Sequence, residues 1–367
     1  MKIYTWVLIT CWIVFLSACS SSIPNFSNSS IEPVSEVVER ESTQIRSENP
    51  RENTIDKIVE SEQREEIIEE VLPDYLQIQR DGDTLVFEKI LADNSYYTRY
   101  QISYTSEGFN ISGIMNIPKN TPNAPLLILN HGYIDPAVYT LWRGLKREQD
   151  YFARNGFAVL HTDYRNHAFS DDDSSLQGTG SILRSKKYGA DAINAILAVQ
   201  KAKNNGTSEL QNVNPEKVWM LGHSMWGGVT MYSLVAAPNL VDAAVLYAPV
   251  HSNEYYNYQK WGKNRLDTNE KQILEDIYGD WENPESFISI SPETYFQNIQ
   301  APIQMYFGTN DASCPIAWGY EIETALTESQ KDIEFIVYPW EQHEFGPQWQ
   351  NFMESSADFF NTELRGK

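Results

Sequence analysis

Cysteine and clustered metal ligands are scarce in this sequence. Only Cys11, Cys19 and Cys314 occur among the 367 residues, and the six histidines form neither an HExxH pattern nor a close cluster with cysteine. So few cysteines exclude a disulfide framework, and the ligand spacing of a metallohydrolase is missing. We therefore expect neither a bound metal nor another cofactor.

Basic residues are also few. The chain has 28 Lys and Arg against 50 Asp and Glu, which gives a formal net charge of −22. A nucleic-acid partner needs basic side chains that neutralise phosphates, and an acidic protein is not attracted electrostatically to anionic lipid. Charge therefore excludes nucleic acid as a partner, and any membrane contact has to come from another feature.

No apolar run near the N-terminus reaches the roughly 20 residues that a membrane-spanning helix needs. Lys2 precedes a shorter run, Ile3 to Leu16, which is typical of a signal peptide over residues 1–18. The run ends in Leu16-Ser17-Ala18-Cys19, which resembles the bacterial lipobox. The resemblance implies that an acylated Cys19 begins the mature protein and anchors it in the bacterial cell envelope, at the outer membrane or the extracytoplasmic face of the cell membrane. An uncleaved anchor with a chance cysteine is the alternative.

Residues 19–74 offer little apolar surface to bury. They are rich in serine and then in acidic residues, and charged segments of this kind repel themselves and extend. We predict a disordered acidic tether that leads into one catalytic domain over residues 75–367. Cys314 is then the one unmodified thiol of the mature chain, and we expect it to be a small packed residue.

Strand patterns and helix patterns alternate from about Leu85 onward. Alternating polar and apolar residues on either side of Glu107-Gly108 predict an antiparallel hairpin, Tyr97 to Thr105 and Asn110 to Ile117. Later apolar runs predict buried parallel strands: Leu126 to Leu129, Phe157 to His161, Val218 to Leu221, Ala243 to Tyr247, Ile303 to Phe307 and Ile333 to Val337. Helical patterns over 144–154 and 186–202 lie between strands. The alternation predicts an α/β fold with a mostly parallel, doubly wound sheet.

One predicted strand leads directly into a serine-containing turn. After Val218 to Leu221 the chain reads Gly222-His223-Ser224-Met225-Trp226-Gly227-Gly228, and a helix-compatible run follows. Strand, turn with serine and helix form the context of a nucleophile elbow. A serine hydroxyl attacks only when a base removes its proton. Asp311 and His343 each follow a later strand, in the chain order that α/β-hydrolases use, so we predict Ser224, Asp311 and His343 as the catalytic triad.

Attack on an acyl carbon creates an oxyanion, which needs two preplaced donors. The backbone N–H of Met225, directly after the serine, is the first candidate. The loop after the strand at Leu126 reads His131-Gly132-Tyr133, and we assign the second donor to the N–H of Tyr133, with Gly132 allowing close approach. We expect His131 to orient this loop.

These motifs together resemble the catalytic domain of the prolyl oligopeptidase family and its esterase relatives among α/β-hydrolases. The resemblance runs from about Ile102 to Leu364 and rests, beside the serine turn, on Asn130-His131-Gly132-Tyr133, Asp163 to Ser170, Ser291-Pro292 with Tyr295, Gly308 to Asp311 and Gln342-His343-Glu344-Phe345. It implies hydrolysis of an ester or amide bond in a small ester or a short peptide, through an acyl-enzyme and without a metal. The sequence does not show whether the cleaved bond is an ester or an amide.

Trp226 departs from the family pattern, which has a small residue two positions after the serine. A tight turn leaves little room there, so the indole is a tolerated change in an active enzyme, a change that cripples the enzyme, or an engineered change. If Trp226 points into the pocket, it narrows the site or forms an aromatic wall. The rival function is a catalytically impaired lipoprotein that binds a ligand at the cell surface.

A long connection follows the strand that ends near Val250. The next strand begins near Pro302, about 50 residues later, whereas connections usually have about 2–6 residues. This predicts a small cap over residues 251–300. The segment is rich in aromatic residues, and we predict that Tyr255 and Tyr256, with Trp226, line the substrate pocket. Packing of the cap against the domain is the alternative explanation for these aromatics.

Overall fold

The structure is a computed structural model that describes residues 75–176 and 184–365. The predicted signal peptide, Cys19 and the predicted tether lie outside these residues. None of the described helices is both long and apolar enough to cross a membrane.

Nine described strands form one mixed sheet in the order β1-β2-β3-β5-β4-β6-β7-β8-β9. The pairs β1–β2, β2–β3 and β3–β5 are antiparallel, and the five remaining pairs are parallel. The strands are β1 (Asp83–Asp93), β2 (Tyr97–Ser106), β3 (Phe109–Pro118), β4 (Ala124–Asn130), β5 (Ala158–Thr162), β6 (Val213–His223), β7 (Ala243–Tyr247), β8 (Ile303–Gly308) and β9 (Ile333–Tyr338).

Seven α-helices lie between or after the strands in the described residues. They are α1 (Lys146–Arg154), α2 (Arg184–Asn204), α3 (Met225–Ala236), α4 (Glu254–Asn257), α5 (Thr268–Tyr278), α6 (Ile316–Glu328) and α7 (Trp349–Arg365). Local sequence fixes some of their starts. Asp267 accepts from the N–H of Glu270, whose side chain accepts from the N–H of Asp267. This reciprocal cap satisfies two free N–H groups at the start of α5.

Strand β4 shows how an apolar run builds both layers of the core. Leu126 and Ile128 belong to one buried cluster, whereas Leu127 and Leu129 belong to the other. Successive side chains of a strand point to opposite faces, so a sheet covered on both faces needs a continuous apolar run. Helices α2 and α3 cover the first face, and α1 and α7 cover the second. The predicted α/β fold with a mostly parallel sheet is confirmed.

The predicted hairpin and all six later strands occur, whereas strand β1 was not predicted. β1 is one of the two edge strands and pairs only with β2 among the described strands. Its apolar residues are poor markers of burial, since Val86 and Ile90 are 40% and 59% exposed. An edge strand with one open face and several charged residues therefore escapes a search for apolar runs.

Candidate active site

Ser224 occupies a strained turn between β6 and α3. Its backbone has φ 59° and ψ −128°, a conformation that non-glycine residues rarely adopt. The turn is held by backbone bonds: the N–H of Ser224 donates to the Tyr247 carbonyl at 3.0 Å, and the N–H groups of Gly227 and Val250 donate to the Ser224 carbonyl at 2.8 and 3.0 Å. A Cβ at Gly222 would clash with the chain at the start of α3. Glycine at this position therefore permits the sharp turn that exposes the serine hydroxyl.

The structure brings Ser224, His343 and Asp311 into one hydrogen-bonded chain. Nε2 of His343 accepts from the Ser224 hydroxyl at 2.7 Å, and its Nδ1–H donates to Asp311 Oδ2 at 2.7 Å. The other carboxylate oxygen, Oδ1, accepts from the N–H groups of Ser313 and Cys314, each at 2.8 Å. Asp311 is thus held by its own loop and orients the imidazole for proton transfer.

His223 holds the loop that carries His343. The sequence interpretation assigned no role to this residue. Nε2–H of His223 donates to the His343 carbonyl at 3.0 Å, and the two rings lie 4.7 Å apart. Burial lowers the pKa of His223 to about 3, so the ring is neutral and keeps one donor and one acceptor. Its position next to Ser224 is the one sequence signal that could have marked it.

The predicted oxyanion donors lie on loops that meet at Ser224. Met225 is the first residue of α3, where N–H groups are free of helical partners. A Cβ on Gly132 would lie 3.0 Å from His223 Nδ1 and 3.4 Å from Ser224 Cβ, so the chain before Tyr133 passes directly over the nucleophile. Nδ1–H of His131 donates to the Gly132 carbonyl at 2.8 Å. The contact is compatible with the loop-orienting role predicted for His131.

Cys314 is buried against the triad. Its side chain has no exposed surface, and burial raises the pKa of its thiol above the ordinary value. A thiol that stays neutral is a poor nucleophile and packs as a small apolar group. The contribution of Cys314 to the site is the backbone N–H that it donates to Asp311.

A cavity of about 720 Å³ opens beside the triad. Ser224 and His343 lie in its wall, so a bound molecule can reach both reacting groups. The predicted cap segment supplies one side of the cavity, with Tyr258, Trp261 and Arg265. A cavity of this size accommodates a small ester or a short peptide.

The three residues predicted to line the pocket do not line this cavity. Trp226 is fully buried in the body of the domain, Tyr255 packs against Phe287 with ring centroids 5.6 Å apart, and Tyr256 packs against His251 at 4.3 Å. That part of the prediction is wrong. The segment after β7 forms short irregular helices, and the sequence does not show which of their side chains face the cavity.

The close contact with the neighbouring chain that was expected at Trp226 occurs at Gly227. A Cβ at Gly227 would lie 2.8 Å from Pro249 Cα, whereas the indole of Trp226 stacks on His131 at 4.7 Å. The turn therefore accepts tryptophan, because the indole points into the domain and packs against the ring of His131.

Sequence comparison identifies the family. A model of the prolyl oligopeptidase family, peptidase family S9, matches residues 143–367. The acylamino-acid-releasing enzyme of Arabidopsis thaliana is 24% identical over 231 residues, which cover 58% of this chain and 28% of that enzyme. The chain thus spans less than a third of the length of this curated relative.

Solved structures share the fold. Acetyl xylan esterase 1 from Thermoanaerobacterium sp. JW/SL YS485 is 17% identical with a TM-score of 0.54, covering 83% of this chain and 93% of that one. Pyrococcus horikoshii acylaminoacyl peptidase is 15% identical with a TM-score of 0.55, covering 74% of this chain and 41% of that one. Since the family model covers more than half of the chain, the chain belongs to the prolyl oligopeptidase family.

Proposed function

We propose that the chain is a serine hydrolase that cleaves the ester or amide bond of a small ester or short peptide through an acyl-enzyme. The hydrogen-bonded chain from Ser224 through His343 to Asp311, with both contacts at 2.7 Å, carries this proposal. The strained turn presents the hydroxyl to a cavity large enough for such a substrate.

The reaction proceeds in two halves. Ser224 Oγ bonds to the acyl carbon while His343 Nε2 takes its proton, and the carbonyl oxygen becomes an oxyanion. Collapse breaks the bond to the leaving group, which takes the proton from His343, and Asp311 stabilises the transient imidazolium. Water then attacks the acyl-enzyme with His343 as base, which releases the acid and restores Ser224.

The N–H groups of Met225 and Tyr133 are the proposed oxyanion donors. Their support is the close passage of Gly132 over Ser224 and the start of α3 at Met225. Loss of one such donor lowers kcat about 10²- to 10³-fold.

Hydrolysis of p-nitrophenyl acetate and of alanine p-nitroanilide tests the activity and compares ester with amide. Turnover of either substrate by the full chain, abolished in Ser224→Ala, supports the proposal. Folded protein that turns over neither substrate contradicts it for these two bond types.

A binding role without catalysis has lost its main support. Trp226 was the one feature that favoured it, and this side chain is buried away from the cavity. The aligned triad favours the enzyme instead, because a binding protein has no need of a base hydrogen-bonded to a serine hydroxyl.

We also propose that the protein is lipid-anchored in a bacterial cell envelope through Cys19. The support is the apolar run that ends in Leu16-Ser17-Ala18-Cys19. Metabolic labelling with an alkyne fatty acid should mark the full chain and leave Cys19→Ala unmarked. Equal labelling of both proteins would exclude Cys19 as the acylated residue.

A further inference from the structure

The wall of the catalytic cavity is basic, although the chain as a whole is strongly acidic. The chain has 28 Lys and Arg against 50 Asp and Glu, whereas five basic side chains and three carboxyl groups line the cavity. The five basic side chains are those of Arg143, Lys146, Arg147, Arg184 and Arg265. Five positive charges minus three negative charges leave the wall with a net charge of +2 when every carboxyl group is ionised.

The three carboxyl groups neutralise this wall incompletely. Glu148 is buried and accepts from the indole N–H of Trp349 at 2.6 Å, and burial raises its pKa. Burial also raises the pKa of Glu254 to about 7, so this group is partly protonated near neutral pH. Glu344 is the one exposed carboxylate among the three. The net charge of the wall therefore exceeds +2 near neutral pH, and a cavity of one charge sign attracts ligands of the opposite sign.

Helix stability does not explain the basic residues. Lys146 and Arg147 are the first two residues of α1, where the positive end of the helix dipole disfavours cations. Within the described part of the chain, only Arg147 of the five basic residues forms a salt bridge, at 3.8 Å from Glu148. The other four have no carboxylate partner among the described residues, so an anion that enters the cavity would be their counter-charge.

Arg147 lies beside the loop that carries the catalytic base. Its Nη2–H donates at 3.2 Å to the carbonyl of Phe345, two residues after His343, and its guanidinium lies 4.7 Å from the Trp349 ring. These contacts fix the guanidinium and leave other N–H donors for a ligand, since the group has five and the side chain is 50% exposed. Burial and, to a smaller extent, the charges of His343 and Arg147 lower the pKa of His223. The charge of Arg147 therefore acts within the catalytic site.

The position of Arg147 identifies the part of the substrate that it reaches. In the proposed reaction the leaving group takes its proton from His343 and departs on the side of that loop. Arg147 is bound to the same loop. A guanidinium matches a carboxylate with two parallel N–H···O bonds, so an anion held by Arg147 belongs to the leaving group.

We propose that Arg147 is a specificity residue that binds an anionic group, such as a carboxylate, in the leaving group of the substrate. This inference rests on the proposed serine hydrolase function. The other four basic residues of the wall strengthen the attraction of the anion to the cavity. The enzyme then prefers esters or amides whose alcohol or amine part is negatively charged over neutral counterparts of the same size.

The full chain should be assayed for release of acetate from 4-acetoxybenzoate and from its neutral counterpart, 4-acetoxybenzamide. Each kcat/KM is divided by the rate of uncatalysed hydrolysis, which corrects for the different leaving groups. A hydrogen bond to a charged group changes binding about 10- to 100-fold, and solvent screens a half-exposed group. We therefore expect 4-acetoxybenzoate to be preferred about 10-fold.

Variants assign the preference to Arg147. Arg147→Gln should abolish most of it, whereas Arg147→Lys keeps the charge and should retain part. The preference is a ratio within one variant, so a shifted His343 loop that slows both esters leaves it unchanged. Arg154→Gln is the matched control, because Arg154 ends the same helix and pairs with Asp150 outside the cavity. This variant should keep the full preference.

A salt series needs no variant. Raising NaCl from about 10 mM to about 1 M shortens the Debye length from about 30 Å to about 3 Å, so the preference should shrink. Equal turnover of the two esters, a preference that salt leaves constant, or an unchanged preference in Arg147→Gln overturns the assignment of Arg147 alone. Absence of Ser224-dependent turnover of p-nitrophenyl acetate overturns the proposed function, and the assignment falls with it.

Discussion

The indole of Trp226 lies parallel to the phenol ring of Tyr188, with ring centroids 5.6 Å apart and an interplanar angle of 5°. The same indole stacks on His131, whose ring donates to the Gly132 carbonyl next to the proposed oxyanion donor Tyr133. Trp226 therefore packs against residues next to the site and does not block the cavity.

Replacing Trp226 by glycine should destabilise the protein without releasing activity. Removal of a fully buried tryptophan leaves a cavity, and such changes cost about 3–5 kcal/mol. The free energy of unfolding in urea checks this value, and Trp226→Phe should lose less. Higher turnover in a stable Trp226→Gly variant would show that the indole obstructs the elbow.

Removing the His223 side chain should slow catalysis more than it weakens substrate binding. His223→Ala deletes the donor to the His343 carbonyl, so the base loses its fixed position. We expect kcat to fall about 10- to 100-fold, equivalent to one lost buried hydrogen bond, with KM nearly unchanged. His223→Gln retains a donor and should recover part of the rate. An unaltered kcat in the alanine variant would remove His223 from the positioning role.

Arg165 should be the most sensitive ion-pair residue of the described domain to replace. Its buried guanidinium contacts Asp191 at 2.7 Å, Asp173 at 2.9 Å and Glu107 at 3.0 Å. Arg165→Met removes the guanidinium that the three carboxylates share, although Lys187 still lies 3.7 Å from Glu107, and should cost about 3–5 kcal/mol. Lys201→Met, which breaks an exposed pair with Asp83, should lower the free energy of unfolding far less. Similar losses in both variants, measured by urea unfolding, would contradict this ranking.

Stability should fall as the pH drops below about 6.5, the ordinary pKa of histidine. Burial lowers the pKa of five described histidines, to about 3 for His161 and His223, whereas it raises the pKa of three carboxyl groups, so on balance the unfolded chain takes up protons before the folded chain does. The contribution of these histidines to the free energy of unfolding is complete above their pKa in the unfolded chain. It is lost as the pH falls toward their pKa in the folded chain, by up to about 1.4 kcal/mol per pH unit for each histidine. Urea midpoints at a series of pH values from mildly alkaline to mildly acidic test this, and a constant midpoint would contradict it.

The strands and the triad were predictable because each depends on local sequence. The run Ala243 to Tyr247 is β7 itself, and Ser224, Asp311 and His343 each follow a strand at the same edge of the sheet. The cavity wall was not predictable. Residues 251–300 form short helices without a steady period, so nothing in the sequence tells which aromatic side chains face the cavity.

The direction of Trp226 also depended on distant residues. His131, Tyr164 and Tyr188 come from separate loops and helices, and only the folded chain brings them around the indole. The serine-turn motif, which has a small residue at this position, does not show which distant rings surround the side chain in the folded protein.

Covalent labelling of the folded full chain by a fluorophosphonate is the most direct test of Ser224 as an activated nucleophile. The predicted result is one adduct, located on Ser224 by peptide mass spectrometry, absent from Ser224→Ala and formed far more slowly in His343→Ala. No adduct in folded protein, or an adduct that persists in Ser224→Ala, would contradict the assignment.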